Sequence, residues 1–518
     1  MCDRKALWRI GIDVGGTNTD GVILDENDRL VAWTKTPTTT DLVSGITTAL
    51  HEVFARVDRT DGDISSVVLG TTAATNAVVE RTALDRVGVI RIGAPVSDVV
   101  PPLSAWPDDL RSATVAAATS VSGGCLIDGH RIAPLDTEAL KRFLARLAGT
   151  VDAVAVSGVF SLMYPDDELA AAAVVREMLG ADIRISMGHE VGQLGLLERE
   201  NATVLNAALG SVGQRIVDGL RGALDDVGLH LAPFIAQNDG TIMDAATASA
   251  FPILTIGSGP SNSLRGAALL SGVEDAIIAD VGGTTTDLGV LTEGFGRESS
   301  QGSAIGGVAT NFRMPDIISL PYGGGTVIRG GRVGPDSVGH RLREHALAFG
   351  GATATLTDAG VSAGRMTLGS GSRPSATPDF HRALEMFDEA VIDAVAALTV
   401  HKRRLPMIAV GGGNALIPTE LPGVGQVLRV EHAGVANAAG AASALIGATV
   451  ETVTPMSRRS AVLEDARDRA VAKAVAAGAH PAHTDVVAVI ETALGYVNEP
   501  TVRLKVKAAG PIAVGVPV

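Results

Sequence analysis

Two stretches of this chain carry the residue types that a phosphate site needs, and they are nearly the same stretch. The first reads Asp13-Val14-Gly15-Gly16-Thr17-Asn18-Thr19-Asp20, the second Asp280-Val281-Gly282-Gly283-Thr284-Thr285-Thr286-Asp287. Paired glycines let a phosphate approach the backbone, because no Cβ stands in the way. The freed N–H groups and the threonine hydroxyls then donate hydrogen bonds to phosphate oxygens. An aspartate at the strand end, Asp13 or Asp280, can hold Mg²⁺ directly or through water. A tight hairpin would explain one copy; two copies point to a pair of phosphate-binding turns.

Such turns need strands on both sides. Leu7–Ile12 and Ala276–Ala279 are apolar runs ahead of them, and Gly21–Leu24 and Leu288–Leu291 are β-like runs behind. A third strand over Leu30–Lys35 and a helix capped by Asp41 and running to about Ala55 follow the first copy. Val67–Leu69 is a buried strand ending at Gly70-Thr71-Thr72, with Thr75 and Asn76 where a helix begins. Strands over Val87–Ile92, Ala153–Val159 and Ile183–Met187 alternate with helices over Leu135–Leu147 and Asp166–Leu179. Between them, positions 93–134 are broken by Pro95, Pro101, Pro102 and Pro107.

His189 and Glu190 follow a strand, where open α/β folds place their sites. A long helix is expected over Leu196–Leu224. Near its start stand Glu198 and Arg199, with Arg199, Thr203 and Asn206 on one face that is either a solvated stripe or a cleft wall. Farther on, strand Met407–Val410 ends in Gly411-Gly412-Gly413-Asn414, and Ala433–Ile446 is a helix of very small residues. After Glu451 the motifs stop. Val462–Ala477 and Thr484–Leu494 read as helices and Thr501–Lys507 as a strand, with their docking on the second lobe or at an interface left open.

Composition excludes several classes. The 518 residues carry a formal net charge of −15 and no basic run, which argues against nucleic acid or an anionic membrane as partner. Aromatics are 3%, too few for base-stacking platforms. Two cysteines, Cys2 and Cys125, make no disulfide framework and no zinc cluster, which fits a reducing, cytoplasmic setting. No apolar run is long enough to span a bilayer. A P-loop lysine motif is absent, and no Gly-x-Gly-x-x-Gly follows a first strand, so neither a P-loop nor NAD is expected.

The double motif resembles phosphate-1 and phosphate-2 of the acetate-kinase, sugar-kinase, heat-shock-70 and actin superfamily. Its wording is closest to the hydantoinase A / 5-oxoprolinase branch, which Gly70–Ala77, Gly158–Ser161, Glu198–Thr203, Ser258-Gly259-Pro260 and Val333–Ser337 also resemble. The resemblance runs from about Ile10 to about Ala448. It implies a two-lobed actin-like ATPase fold of duplicated ribonuclease-H-like lobes, with the nucleotide cleft between them. The regions it implies are 1–190, similar to the family's N-terminal part; 191–450, with the second phosphate motif and the adenosine motif; and a C-terminal extension, 451–518.

The implied activity is ATP-dependent opening of a cyclic amide such as a hydantoin or 5-oxoproline. ATP and Mg²⁺ are the implied cofactors, with Asp13 and Asp280 on the metal. Gly15, Gly16, Thr17, Asn18, Thr19, Gly282, Gly283, Thr284 and Thr285 would line the phosphates, and Gly411, Gly412, Gly413 and Asn414 would face the adenosine. The general base is open among Asp13, Asp280, His189 and Glu198. Partners implied are a small cyclic amide and a separate B-type subunit, with homo-oligomerisation left open. A small-molecule kinase, a carboxylase subunit and an ATP-switched scaffold are the alternatives. Two departures stand out. Long members of the family carry Phe where this chain has Asn18, and a Pro- and Cys-containing run where it has Val338–Leu342.

Overall fold

The computed structural model describes residues 6–513 apart from 40, 59–60, 300–301, 313, 369–372, 400–403, 496 and 498. Cys2 and the first part of the small-residue stretch 369–378 lie outside the described residues.

Both glycine motifs are the tips of β-hairpins built in the same register. Strand Ala6–Val14 pairs antiparallel with Asn18–Leu24, placing Asp13 opposite Asp20 and Val14 opposite Thr19. Strand Ala276–Val281 pairs with Thr286–Thr292, placing Asp280 opposite Asp287 and Val281 opposite Thr286. Each tip closes with the same backbone bond, Gly15 N–H to Asn18 O at 3.1 Å and Gly282 N–H to Thr285 O at 2.9 Å.

The surroundings repeat too. In the first lobe the hairpin continues antiparallel into Leu30–Pro37 on one side and parallel into Gly62–Thr71 and Pro233–Ala236 on the other. In the second, Ile317–Leu320 lies antiparallel on one side, and Met407–Val410 and Val427–Arg429 lie parallel on the other. Two lobes with one five-strand order establish the duplication that the paired motifs suggested.

A smaller sheet of four parallel strands branches from the first lobe in the order Val115–Ser122, Val87–Ala94, Ala153–Gly158, Arg184–Met187. Helix Leu196–Ala208 packs across it. The single long helix expected from Leu196 to Leu224 is two, Leu196–Ala208 and Gly210–Asp226. The break falls at Leu209, beside a contact made from another strand. A Cβ on Gly210 would lie 2.1 Å from an Arg184 guanidinium nitrogen, and that arginine pairs with Asp85 at 2.7 Å. Asp85 also accepts from Ser211 N–H, capping the new helix.

The tail docks on the first lobe. Strand Ile242–Asp244 and, beyond it, strands Ile446–Pro455, Thr501–Gly510 and Asp485–Leu494 extend its sheet to nine strands. Thr484–Leu494, expected as a helix, is therefore mostly a strand. Its backbone groups pair with Thr501–Gly510, and that long-range ladder overrides local helix preference. Helix Arg459–Ala476 covers the extension with a stripe of Ala466, Ala470 and Ala474, buried against Phe234, Ile446 and Val506. Lys507 Nζ meets Asp239 Oδ2 at 2.7 Å and fixes the join. Among the described residues no helix is long and apolar enough to cross a membrane.

Two helices cross between the lobes. Ser258–Ser271 leads into the second lobe and touches strands of both. The small-residue segment expected as one helix from Ala433 to Ile446 is a short turn at Ala433–Val435, a helix at Ala436–Ala442, and a strand from Ile446 onward. That helix lies on the first hairpin. The crossing is backbone against backbone: a Cβ on Gly266 would lie 1.8 Å from Ala436 O, and one on Gly440 would lie 1.9 Å from Asn262 O. Only glycine allows this approach.

Candidate functional site at the lobe interface

The crossing helices bring the two motif aspartates into one hydrogen-bonded group. Asp13 is almost wholly buried. Asn437 Nδ2 donates to Asp13 Oδ2 at 3.4 Å, and Ser263 Oγ lies 2.6 Å from Asn437 Oδ1 and 2.5 Å from Asp280 Oδ2. One hydroxyl proton cannot serve two acceptors. It goes either to Asn437 Oδ1 or to Asp280 Oδ2, so Ser263 couples the amide to the second carboxylate. Burial raises the Asp280 pKa above the usual carboxylate value, with Ser263, Lys35 and Asn437 opposing. Burial, followed by the Asp20 charge, raises Asp13 to about 7. The second aspartate of each motif is also raised to about 6, chiefly by burial, although Lys35 opposes this at Asp20 and Ser319 at Asp287. Four carboxylates thus crowd one low-dielectric site, a demand for positive charge.

Lys35 supplies part of it. Its ammonium reaches both Asp20 oxygens at 2.7 Å and Gly434 O at 2.9 Å, tying the first hairpin to the turn before the small-residue helix. Two glycines make room for the central carboxylates. A Cβ on Gly70 would lie 2.4 Å from Asp13 Oδ1, and one on Gly411 would lie 2.2 Å from Asp280 Oδ1.

The two turns face each other, since a Cβ on Gly283 would lie 3.1 Å from Thr17 Oγ1. Gly16, Thr284 and Thr285 are exposed, and Gly15, Thr17, Asn18, Gly282 and Gly283 are half-buried. Thr19 is different. It is fully buried, with its hydroxyl 3.5 Å from Thr38 Oγ1 inside the first lobe. Gly411 and Gly413 pack against strand Ala276–Val281, where Gly413 N–H donates to Val281 O at 2.8 Å, while Gly412 is open to solvent. Asn414 Nδ2 donates to Gly411 O at 2.7 Å.

His189 and Glu198 lie elsewhere, beside the four-stranded sheet. His189 Nδ1 is 2.6 Å from Glu168 Oε2, and the same oxygen accepts the His189 N–H at 2.9 Å. Burial alone would lower the His189 pKa, but the hydrogen bond and charge of Glu168 outweigh it and raise it. Glu198 is half-buried on the first turn of helix Leu196–Ala208. Arg199, Thr203 and Asn206 are all buried, which removes the solvated-stripe reading. Thr203 and Asn206 bond to the protein's own groups, Arg199 O and Ala250 O among them.

Sequence reasoning missed Asn262, Ser263, Asn437 and Lys35. A signal existed for two of them. Ser263 follows closely on the Ser258-Gly259-Pro260 motif, and Asn437 is the one amide in an alanine- and glycine-rich helix.

These lobes, hairpins and crossing helices define the actin-like ATPase fold. The chain superposes on the crystal structure of the ATP-dependent caprolactamase from Pseudomonas jessenii with a TM-score of 0.79 at 20% identity, covering 98% of this chain and 89% of that one. On a nucleotide-free acetone carboxylase chain the TM-score is 0.72 at 16% identity, covering 98% and 88%. Within that fold the chain belongs to the hydantoinase/oxoprolinase family. The family's N-terminal region model matches residues 9–179 and its hydantoinase/oxoprolinase model residues 199–372. Curated relatives include the caprolactamase subunit alpha of Pseudomonas jessenii, 27% identical over 70% of this chain and 56% of the relative. The acetophenone carboxylase gamma subunit of Aromatoleum aromaticum is likewise 27% identical, over 70% and 54%. The matches thus span little more than half of each relative's length.

Proposed function

We propose that this chain is the ATP-hydrolysing component of an enzyme that opens a cyclic amide. The observation that carries the reading is the pair of near-identical turns, opposed across the lobe interface and joined through Asp13, Asn437, Ser263 and Asp280. In this reading the turn backbone at Gly15–Thr17 and Gly282–Thr284 donates to the phosphates, and Gly411–Asn414 faces the adenosine.

The site fits a magnesium–triphosphate complex. Asp13 and Asp280 are carboxylates in a group short of positive charge, and Gly70 and Gly411 leave them room. Among the described residues no group of three or more His, Cys, Asp and Glu side chains could hold an ion. Mg²⁺ commonly needs just one or two carboxylates when phosphate oxygens and water complete its shell. Bound there, the ion would neutralise charge on the phosphates.

An unstrained amide resists water because nitrogen donates into the carbonyl. Transfer of the γ-phosphoryl to the amide oxygen, with release of ADP, makes that carbon electrophilic. Water then adds to it and the C–N bond breaks, leaving an acyl phosphate that a second water hydrolyses, so that ring, ATP and two waters become an open amino acid, ADP and phosphate. The chain's contribution is positioning and charge stabilisation. For the water-activating base, the His189–Glu168 pair has suitable chemistry, with Nδ1 held by the carboxylate and Nε2 left to act; Asp13, Asp280 and Glu198 are the other candidates. A B-type subunit completes the enzyme in this account, as the relatives' names include the word subunit.

A second reading, subunit of an ATP-dependent carboxylase, is favoured by the likeness to the acetophenone carboxylase gamma subunit. One experiment separates them: ADP release from Mg·ATP over a panel of lactams, hydantoins and ketones, with and without bicarbonate. Stimulation by a cyclic amide without bicarbonate supports the hydrolase. Stimulation that needs bicarbonate and a ketone rejects it.

A further inference from the structure

The nucleotide reading leaves the Ser258-Gly259-Pro260 turn without a task, and that turn borders a cavity. The space is about 390 Å³ and lies where the first turn of helix Ser258–Ser271 meets strand Ile317–Leu320 and the loop before it. Small-molecule sites span roughly 300–1,000 Å³ and favour junctions between domains.

Its position ties it to the lobe interface. Ile317 and Ser319 line it. Ser319 stands opposite Asp287 on the neighbouring strand, and Asp287 stands opposite Asp280. Residues opposite each other in an antiparallel pair share a face of the sheet, so the cavity and the second pair of motif aspartates lie on one face of the second lobe. Ser319 Oγ donates to Asp287 Oδ1 at 2.5 Å and joins them directly. The helix on the other side carries Ser263 to Asp280, and its Ser258 hydroxyl reaches Thr71 O of the first lobe at 3.4 Å.

The lining sorts ligands by charge. Pro260, Met314 and Ile317 give apolar surface, and Ser303 and Ser319 give hydroxyls. A Cβ on Gly257 would lie 1.9 Å from Met314 Cε, so that glycine lets the thioether seat against the turn. Among the described residues that line the cavity none is basic, and Asp316 alone is charged. Its carboxylate is already paired. Arg297 Nη2 donates to Asp316 Oδ2 at 2.7 Å and to Leu398 O at 2.9 Å. Behind Ser319, Asp287 adds further negative charge. An anion entering here would lose hydration and meet no free cation. A secondary lactam suits the same lining. The Ser319 oxygen, with its proton given to Asp287, can accept the ring N–H, and the Ser303 hydroxyl can donate to the ring C=O.

We propose that this cavity binds an uncharged secondary lactam and turns away ring acids such as 5-oxoproline. The identity of the ring rests on the cyclic-amide reading above; the cavity adds where the ring sits and which rings it admits.

The test is a titration of the full chain, read by saturation transfer to the ring protons, with 2-pyrrolidone and with 2-pyrrolidone-5-carboxylate, the same ring carrying an acid. The native chain should bind 2-pyrrolidone at least about tenfold more tightly, the scale of a charged group left without its hydrogen bond. Asp316→Asn removes the carboxylate from the wall and releases Arg297, so affinity for the ring acid should rise about tenfold. Ala304→Trp adds bulk from an exposed position on the rim, so the fold should hold while binding of both rings is lost. Four results would overturn the inference: no 2-pyrrolidone binding, equal or tighter binding of the acid, native lactam affinity in Ala304→Trp, or an Asp316→Asn chain that still rejects the acid. Mg·ATP binding, titrated on the same samples, keeps the two readings apart. A chain that binds ATP but no lactam overturns this inference alone, and one that binds the lactam but no ATP overturns the nucleotide site alone.

Discussion

Gly266→Ala tests whether the helix crossing sets the geometry of the proposed nucleotide site. The added Cβ would lie 1.8 Å from Ala436 O and 2.6 Å from Ala436 C. An ordinary carbon–oxygen approach is no closer than about 3.3 Å, so the helices must separate by about 1.5 Å at this point. Both partners are backbone, and no side chain can swing away to relieve the clash. Overpacking of this kind costs about 1–3 kcal/mol. The functional loss should exceed that, because the crossing carries Asn262 and Ser263 on one helix and Asn437 on the other. A shift on the order of 1 Å at a reacting site costs about 100-fold in rate. The assay is urea unfolding together with ATP turnover, using Gly222→Ala as the control. Gly222 sits in helix Gly210–Asp226, and an added Cβ there meets nothing within 4 Å. That control should be stabilised by roughly 0.5–1 kcal/mol from helix propensity. Gly266→Ala with unchanged stability and turnover would refute the crossing as a positioning device.

Three further outcomes are expected. Burial alone would raise the Asp239 pKa, but the Lys507 ammonium and further hydrogen bonds lower it from 3.8 to about 2. A depressed folded-state value stabilises above the unfolded pKa and is lost as pH falls through the folded one. The unfolding free energy of the native chain should therefore exceed that of Asp239→Asn by about 2 kcal/mol near neutral pH. The gap should shrink below pH 4 and close near pH 2; a gap that widens in acid contradicts the tail-docking account. Asn437→Ala should weaken ATP turnover more than it weakens the fold, about tenfold against roughly 1 kcal/mol, because it cuts the link between Asp13 and Asp280. Finally, lobes hinged at a small-residue crossing should close on nucleotide. Solution scattering with a non-hydrolysable ATP analogue and Mg²⁺ should show a smaller radius of gyration, and an unchanged radius with binding confirmed speaks against closure.

The hairpins were legible because their glycines and aspartates are local chemistry: turn, flanking strands and register all follow from a dozen contiguous residues. The strand core Val67–Leu69 and helix Asp166–Leu179 were legible for the same reason, as an apolar run and an alanine-rich run. What failed was non-local. The break at Leu209 lies beside Gly210, which Arg184 approaches closely from another strand. Thr484–Leu494 is short, alanine-containing and ambiguous in period, and only pairing with Thr501–Gly510 decides it. The same limit hid Ser263 and Asn437. Each is an ordinary polar residue in its own helix, and its meaning comes from a crossing that brings positions far apart in sequence within 2.6 Å. Burial of Thr19 is also a tertiary effect, since helices Leu42–Phe54 and Ala436–Ala442 both pack on strand Asn18–Leu24 and leave every residue from Thr19 to Leu24 buried.

The most direct test of the central claim is ADP release by the purified chain with Mg·ATP, compared with Asp13→Asn and Asp280→Asn. Each variant removes one ionisable carboxylate while keeping its shape, and circular dichroism should show the fold retained. The account predicts measurable, Mg²⁺-dependent hydrolysis by the native chain and its loss, by about 100-fold or more, in both variants. Turnover in either variant equal to that of the native chain would contradict the assignment of Asp13 and Asp280 to the nucleotide site.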